Sequence, residues 1–344
     1  MMVEKSFQDL KREVWEKGRC SGCGACTAVC PADALYFDEQ GTVSSPVHNG
    51  YCKQETDGVP CGACYAVCPR VELPVPEPLG QYRRIIAGQA SKTVPRSQSG
   101  GAVTAILRNA LDSGLIDAVV TVGEDRMTLR PFSILVTSSE ELLHSAGSRY
   151  SWWVPLLGAL KTAVIDRKFR RIAVVGVPCV VQAVDRMRTS SHDLLQPFGK
   201  SIRLVIGLFC TESFDYRMLV EGKMRQEHAI ETWRVKKLDV RGKLEITMSD
   251  GSTTAFPLKE IEDTVRSGCH VCTDFPALKA DISAGSVGSA PGYTTLVVRT
   301  PEGDAFVDSA VLNGAMWISE DVDKNAIEKL ATAKIARNVD NTVS

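Results

Sequence analysis

Twelve of the 344 residues are cysteines, and they fall into two regions: eight between Cys20 and Cys68, four between Cys179 and Cys272. The run Cys20-x2-Cys23-x2-Cys26-x3-Cys30-Pro31 has the spacing of bacterial ferredoxins, in which three close thiolates hold one cubane and the fourth reaches to the other. A second run, Cys52-x8-Cys61-x2-Cys64-x3-Cys68-Pro69, keeps that ending and lengthens the first gap. The expected sharing is Cys20, Cys23, Cys26 and Cys68 on one [4Fe–4S] cluster, with Cys52, Cys61, Cys64 and Cys30 on the other. Zinc is the alternative for soft thiolates, but zinc ribbons use paired C-x2-C elements rather than a double run ending in Cys-Pro.

Cys179, Cys210, Cys269 and Cys272 form a further set, the last two in Gly268-Cys269-His270-Val271-Cys272. Four thiolates suffice for a third cluster, yet spacing alone leaves two other readings open. A lone cysteine is often a small buried apolar residue, and a single C-x2-C is half of a zinc site. His270 reads as a bystander, since four sulfurs already complete a tetrahedral set. Three small-residue stretches could approach an anionic ligand through their backbone. Ser97-Gln98-Ser99-Gly100-Gly101-Ala102-Val103-Thr104 stands just before a helical pattern, where N–H groups and the helix dipole suit a phosphate, although an ordinary N-cap explains it as well. Gly147-Ser148-Arg149-Tyr150 adds a guanidinium and a ring, or is a polar loop. The stretch 281–289, followed by Gly292-Tyr293-Thr294, is glycine-dense around hydroxyls and permits close backbone approach, or is a surface loop.

The elements that must position these groups follow from periodicity. Phe7, Leu10 and Val14 recur at helical spacing ahead of the first cysteine run, and residues 327–335 repeat that pattern near the end. Such amphipathic ends dock on a partner or cover their own core. Three prolines in VELPVPEPL, residues 71–79, resist helix and sheet alike and mark a connector. The division expected is residues 1–80 as one domain and 81–344 as the other. In the second, 102–111 reads as a helix, and 116–122, 172–177, 204–209 and 294–300 read as buried strands. Two of these strands run into cysteines, GVPC at Cys179 and GLFC at Cys210, so ligands on loops at strand ends are expected. From 235 to 256, alternation broken at Arg241-Gly242 and Asp250-Gly251 predicts an antiparallel meander. The fold class is therefore α+β: a bacterial-type 2[4Fe–4S] ferredoxin domain, then a mixed α/β domain with an antiparallel meander.

Composition narrows the function. Lys+Arg 40 against Asp+Glu 41 leaves no net field to hold nucleic acid or an anionic membrane. The longest apolar run, 172–184, is interrupted and falls short of the ~20 residues of a membrane span. The charged start, residues 1–17, lacks an apolar signal core, which points to the cytoplasm. In that reducing compartment twelve cysteines read as metal ligands rather than disulfides.

SQSGGAVTAIL, AGSRY, GVPC, GLFC, SGCHVC and DISAGSVGS-x2-GYTT together resemble, in order and spacing, the family of beta subunits of coenzyme F420 hydrogenases and dehydrogenases. With a two-cluster ferredoxin domain in front, the chain looks most like the electron-input subunits of reduced-F420 dehydrogenases of methanogenic archaea. The resemblance implies FAD in the second domain, a third [4Fe–4S] cluster on Cys179, Cys210, Cys269 and Cys272, and coenzyme F420 as substrate. It carries flavin contacts over to Ser99, Gly100, Gly101, Ala102, Thr104, Ser148, Arg149 and Tyr150, and to Gly176 and Asp281. Partners would be the redox subunits of a membrane-associated dehydrogenase complex, placing the chain on its cytoplasmic side, or a soluble ferredoxin. The deazaflavin's acidic tail needs cations, for which Lys168, Arg170, Arg171, Arg186 and Arg188 are candidates. FAD is the natural step between a hydride carrier and one-electron clusters; no acid–base dyad is required and no triad is evident. Two alternatives share the motifs: a ferredoxin-driven reductase of another organic substrate, and a non-enzymatic multi-cluster adaptor.

Overall fold

Continuous apolar runs rich in Val and Ile make strands that are buried on both faces, and such strands lie at the centre of a parallel sheet. In a computed structural model of the chain, which describes residues 5–38, 44–153, 155–240 and 242–340, that centre is Ala118–Glu124, Ile172–Gly176, Ile202–Leu208 and Ile282–Gly285, each parallel to the next. Antiparallel strands extend both sides. Pro131–Val136 pairs with Ala118–Glu124, while Thr294–Val298, Arg84–Ala90 and Met316–Ser319 follow Ile282–Gly285 in turn. The result is one eight-stranded mixed sheet.

Period-two alternation divides its side chains between two cores. Ala173, Leu204, Ile206, Ile282 and Leu296 pack under the helices Ala102–Asp112 and Pro301–Leu312. Ile172, Val174 and Val205 face the helix Pro178–Thr189 and, beyond it, the cysteine-rich N-terminal unit. That unit contributes Phe7, Leu10, Val14, Val29 and Val67 to the same core. The N-terminal amphipathic stretch therefore covers its own interior. So does the C-terminal helix Lys324–Asn338, which buries Ile327, Ala331, Lys334 and Asn338.

The N-terminal unit is built on a repeated plan. Each close cysteine run leads through a left-handed glycine, Gly24 or Gly62, into a five-residue helix, Ala25–Val29 or Ala63–Val67. Leu35–Tyr36 and Val47–His48 pair antiparallel beside them. The meander is present as Val235–Val240, Lys243–Met248 and Thr253–Pro257, with Gly242 and Gly251 at positive φ in its turns. Arg241, expected in the first turn, lies outside the described residues.

Two expectations are corrected, and three strands were not foreseen. The segment after Asp281 is not a loop: Ile282–Gly285 is a central strand, because Ile282 and Ala284 point into one core and fully buried Ser283 donates to the carbonyl of Ala277. Cys179 is not on a loop either. It occupies the first turn of Pro178–Thr189, where Pro178 suits a helix start. Arg84–Ala90, Pro131–Val136 and Met316–Ser319 carry no strong alternation and become strands only by pairing on the edges of the sheet.

Candidate redox centres and anion pocket

The eight N-terminal thiols separate into two groups that cross the sequence order. Cys26 feels the charges of Cys23, Cys68 and Cys20, then of Cys64. Cys64 feels Cys30, Cys61 and Cys52. The second group lines a cavity whose walls also include Phe7, Pro31, Ala34 and Leu35. The crossing follows from the repeated helices: Cys30 and Cys68 each end one of them, and the two helices pack together.

Cys179, Cys210, Cys269 and Cys272 also converge, with Cys210 facing the other three. Among the described residues, no three His, Cys, Asp or Glu side chains close on a position for a single ion. The set of Cys30, Cys52, Cys61 and Cys64 instead lines a wider cavity. Backbone N–H groups are aimed at the sulfurs, from Ala34 to Cys30 at 3.3 Å and from Ser213 to Cys269 at 3.4 Å. Gly22, Tyr65 and Arg70 supply further backbone donors to Cys20, Cys64 and Cys68. Four thiols per set with amide donors to sulfur suit thiolate-bound clusters.

Burial pushes the thiol of Cys20 up to about 11 and those of Cys64 and Cys179 to about 12. Loading a metal centre there must therefore expel protons. Cys272 is the exception. Burial works to raise it, but Lys334 and Arg70 together outweigh burial and hold it below the ordinary thiol range. The C-terminal helix adds Asn338, whose amide donates to the carbonyls of Cys269 and Cys272 at 3.0 and 2.7 Å.

A second feature lies beside this third set. Gln98, Ser148 and Arg149 line a pocket together with Arg96, Arg126, Lys236, Lys237 and Glu124. Its floor is held rigidly. Arg149 donates to the carbonyls of Ser145 and Gly147 at 2.5 and 2.6 Å and stands 3.8 Å from Glu124. Burial lifts Glu124 above the usual carboxylate range, with Arg149 and Arg96 pulling it back. Five cations around one carboxylate suit a polyanionic ligand. The meander brings Lys236 and Lys237 into place, and a sequence scan for cations near the glycine turns would not reach them across some ninety residues.

Ser99 bonds Thr294 through their hydroxyls at 2.8 Å. Gly100 lets the turn lie flat on two strands: a Cβ there would sit 2.5 Å from the Gly88 carbonyl and 2.8 Å from that of Gly292. Gly100→Ala is expected to lower unfolding free energy by about 2–3 kcal/mol, read from the denaturant midpoint. Gly101 caps the helix in a left-handed conformation, Ala102 is buried under it, and Thr104 is half-buried one turn on. Tyr150 follows Arg149 in the chain and packs on the core beneath the meander, its carbonyl accepting from the Ser213 hydroxyl and the Phe214 amide.

Two residues stand apart from this group. Asp281 is a core carboxylate, its oxygens taken by the Val205 amide, Arg188 and the Thr300 hydroxyl at 2.7–2.9 Å. Gly176 ends a strand, where a Cβ would strike Val180 at 2.5 Å. Nor do the expected basic residues gather. Arg171 binds Asp117, Arg186 binds the Ala66 carbonyl, Arg188 binds Asp281, and Lys168 and Arg170 are exposed elsewhere.

Comparison with known proteins bears on these centres. The sequence profile for the C-terminal part of the coenzyme F420 hydrogenase/dehydrogenase beta subunit matches residues 169–324, and its N-terminal counterpart matches 85–161. A 4Fe-4S dicluster domain profile matches 19–71. An uncharacterized protein of Methanocaldococcus jannaschii is 44% identical over 98% of this chain and 99% of its own length. The coenzyme F420-dependent sulfite reductase of that organism is 34% identical over 94% of this chain, which spans only 50% of that protein. One of the subunits of the F(420)H(2) dehydrogenase of Methanosarcina mazei is 31% identical over 90% of this chain and 86% of its own length. A chain in the solved F420-reducing [NiFe] hydrogenase complex of Methanosarcina barkeri superposes with a TM-score of 0.73 at 29% identity, covering 78% of this chain and 94% of that one.

Proposed function

The chain belongs to the family of coenzyme F420 hydrogenase/dehydrogenase beta subunits, with a 4Fe–4S dicluster domain in front, and on that premise we propose that it oxidises reduced coenzyme F420 by hydride transfer to bound FAD and passes single electrons through three [4Fe–4S] clusters to a partner. FAD would supply the one step neither neighbour can make, accepting an electron pair with the hydride and releasing the electrons singly.

The observation that carries this reading is the succession of neighbouring groups that leads from the cationic pocket through the three cysteine sets. Tyr150, next to Arg149, meets Ser213, whose amide reaches the Cys269 sulfur. Gly268 lies against the Cys20 carbonyl, where a Cβ would come within 2.2 Å, and Cys179 feels Cys23. Cys26 in turn faces Cys64, whose group includes the half-exposed Cys52 and Cys61. In this reading the 99–104 turn with Ser148, Arg149 and Tyr150 orients the flavin. Cys179, Cys210, Cys269 and Cys272 hold the third cluster, and the face around Cys52 and Cys61 meets the partner. That partner belongs to a dehydrogenase complex or is a soluble ferredoxin. Among the described residues no helix is long and apolar enough to cross a membrane.

The experiment is anaerobic mixing of the purified, flavin-loaded protein with reduced coenzyme F420, following oxidised-deazaflavin absorbance while a dye or ferredoxin is reduced. Turnover supports the reading; no reaction despite bound FAD and intact clusters would replace it with a ferredoxin-driven reductase. The crossed ligand sharing has its own check. Cys30→Ser is expected to abolish the EPR signal of the outer cluster, on Cys52, Cys61 and Cys64, and Cys68→Ser that of the inner one. Loss in the opposite pairing would mean that each run serves itself.

A further inference from the structure

Three buried cations remain without a role in binding or positioning a substrate. Arg70, Arg266 and Lys334 are only 3%, 4% and 4% exposed. Burying an ion costs several kcal/mol unless a counter-charge is close by. Around Arg70 the nearest opposite charges are the sulfurs of Cys272, Cys179 and Cys269, and it also donates to Cys272. Its other bond runs to Gln182 at 3.2 Å, and its Nε has no partner. Arg266 faces Cys20, Cys269 and Cys179, with Asp215 a lesser neighbour. Its guanidinium lies 3.7 Å above the Trp152 ring and donates to the carbonyls of Ser21 and Ser44, and its Nε too is unpartnered. Lys334 donates to the carbonyls of Cys210 and Asp274 at 2.7 and 2.8 Å and feels Cys272, Cys210 and Cys269.

All three cations thus converge on the third cysteine set, and two of them stand between it and the inner N-terminal set. The cations near the outer set are less deeply placed: Lys53 lines its cavity, and Lys161, its side chain 25% exposed, donates to the Cys30 carbonyl at 2.7 Å, so water screens them where it does not screen the three buried ones. We infer that Arg70, Arg266 and Lys334 selectively stabilise the reduced form of a cluster on Cys179, Cys210, Cys269 and Cys272, holding the transferred electron beside the flavin rather than at the outer face. The inference rests on the third set holding a cluster, as proposed above. When one electron from the flavin or from the neighbouring cluster reduces it, the cluster with its four thiolates gains one unit of negative charge. No bond breaks and no proton need move. A fixed positive charge in a low-dielectric site rewards that added charge directly.

The test is a potentiometric EPR titration of the holoprotein and of Arg70→Gln, with iron counted in each. The expected result is at least a tenfold loss of electron affinity at the third cluster, about 59 mV for one electron, with the outer cluster unmoved. Arg70→Lys, which keeps the charge, should recover most of the loss. Unchanged potentials in a fully loaded Gln variant would overturn the inference, as would an equal shift at the outer cluster. If Arg70→Gln fails to retain its clusters, Lys334→Gln is read the same way against the same two outcomes. A wild-type protein carrying iron for only two clusters would overturn the functional reading together with this one, and the iron count tells that failure from an unmoved potential.

Discussion

Replacing Cys269 and Cys272 together by serine is expected to leave flavin reduction by reduced coenzyme F420 near its normal rate. The same change should slow reduction of the N-terminal clusters at least about a hundredfold, equivalent to roughly 2.7 kcal/mol on the barrier. Hydride transfer needs only the donor carbon held against the flavin, and none of the pocket residues contributes a sulfur. The onward path depends on the third set, because Ser213 bonds Cys269 on the pocket side and Gly268 abuts Cys20 on the other. Serine keeps the size of cysteine, and Asn338 would still hold the two backbone carbonyls, so the fold should survive. Iron should fall from about twelve to about eight per chain. Stopped-flow absorbance separates the two phases. N-terminal clusters reduced at the wild-type rate would take the third set off the path.

Arg149→Met should strip the flavin. The Arg149 side chain is 8% exposed, its guanidinium is fastened to two carbonyls, and it partly offsets a buried carboxylate at Glu124. Removing it deletes a desolvated cation facing the ligand and leaves Glu124 to repel it. Truncating one partner of such a buried charged contact costs roughly 2–5 kcal/mol, about thirtyfold or more in affinity. FAD retained through gel filtration and a fluorescence titration would both report it. Arg126→Met is the control: it stands 3.5 Å from Glu124, but its side chain is 42% exposed and water screens it, so a change within about 1 kcal/mol is expected. Equal losses in the two variants would mean that the pocket acts through general charge rather than through a built anion site. An unchanged FAD content would place the flavin elsewhere.

Local spacing determined a good deal about this protein. The two cysteine runs ending in Cys-Pro were legible as a pair without a fold, and the crossed sharing of Cys30 and Cys68 was an expectation taken from the spacing of bacterial ferredoxins. The buried strands at 172–177 and 204–209, the helix at 102–111 and the meander were legible too, because each carries its own periodicity and its own stops. The glycine turn at Ser99–Gly101 and the Ser148–Tyr150 segment were both visible as small-residue stretches, and only the resemblance singled them out as flavin candidates.

Tertiary structure decided what depends on residues distant in sequence. Ile282–Gly285 looked like a glycine-dense loop because four residues bear too little pattern; it is a strand because two neighbours offer it hydrogen bonds and two cores accept its side chains. Asp281, a flavin candidate by resemblance, is buried with its oxygens bonded by Arg188 and Thr300, which come from other elements. The basic pocket needed the meander to carry Lys236 and Lys237 beside Arg96 and Arg149. The cations at the third cysteine set come from three separate places, after Cys68, before Cys269 and in the last helix. A sequence marks which side chains carry charge, but only packing removes them from water, and it is the removal that makes Arg70, Arg266 and Lys334 strong enough to matter at the third cysteine set.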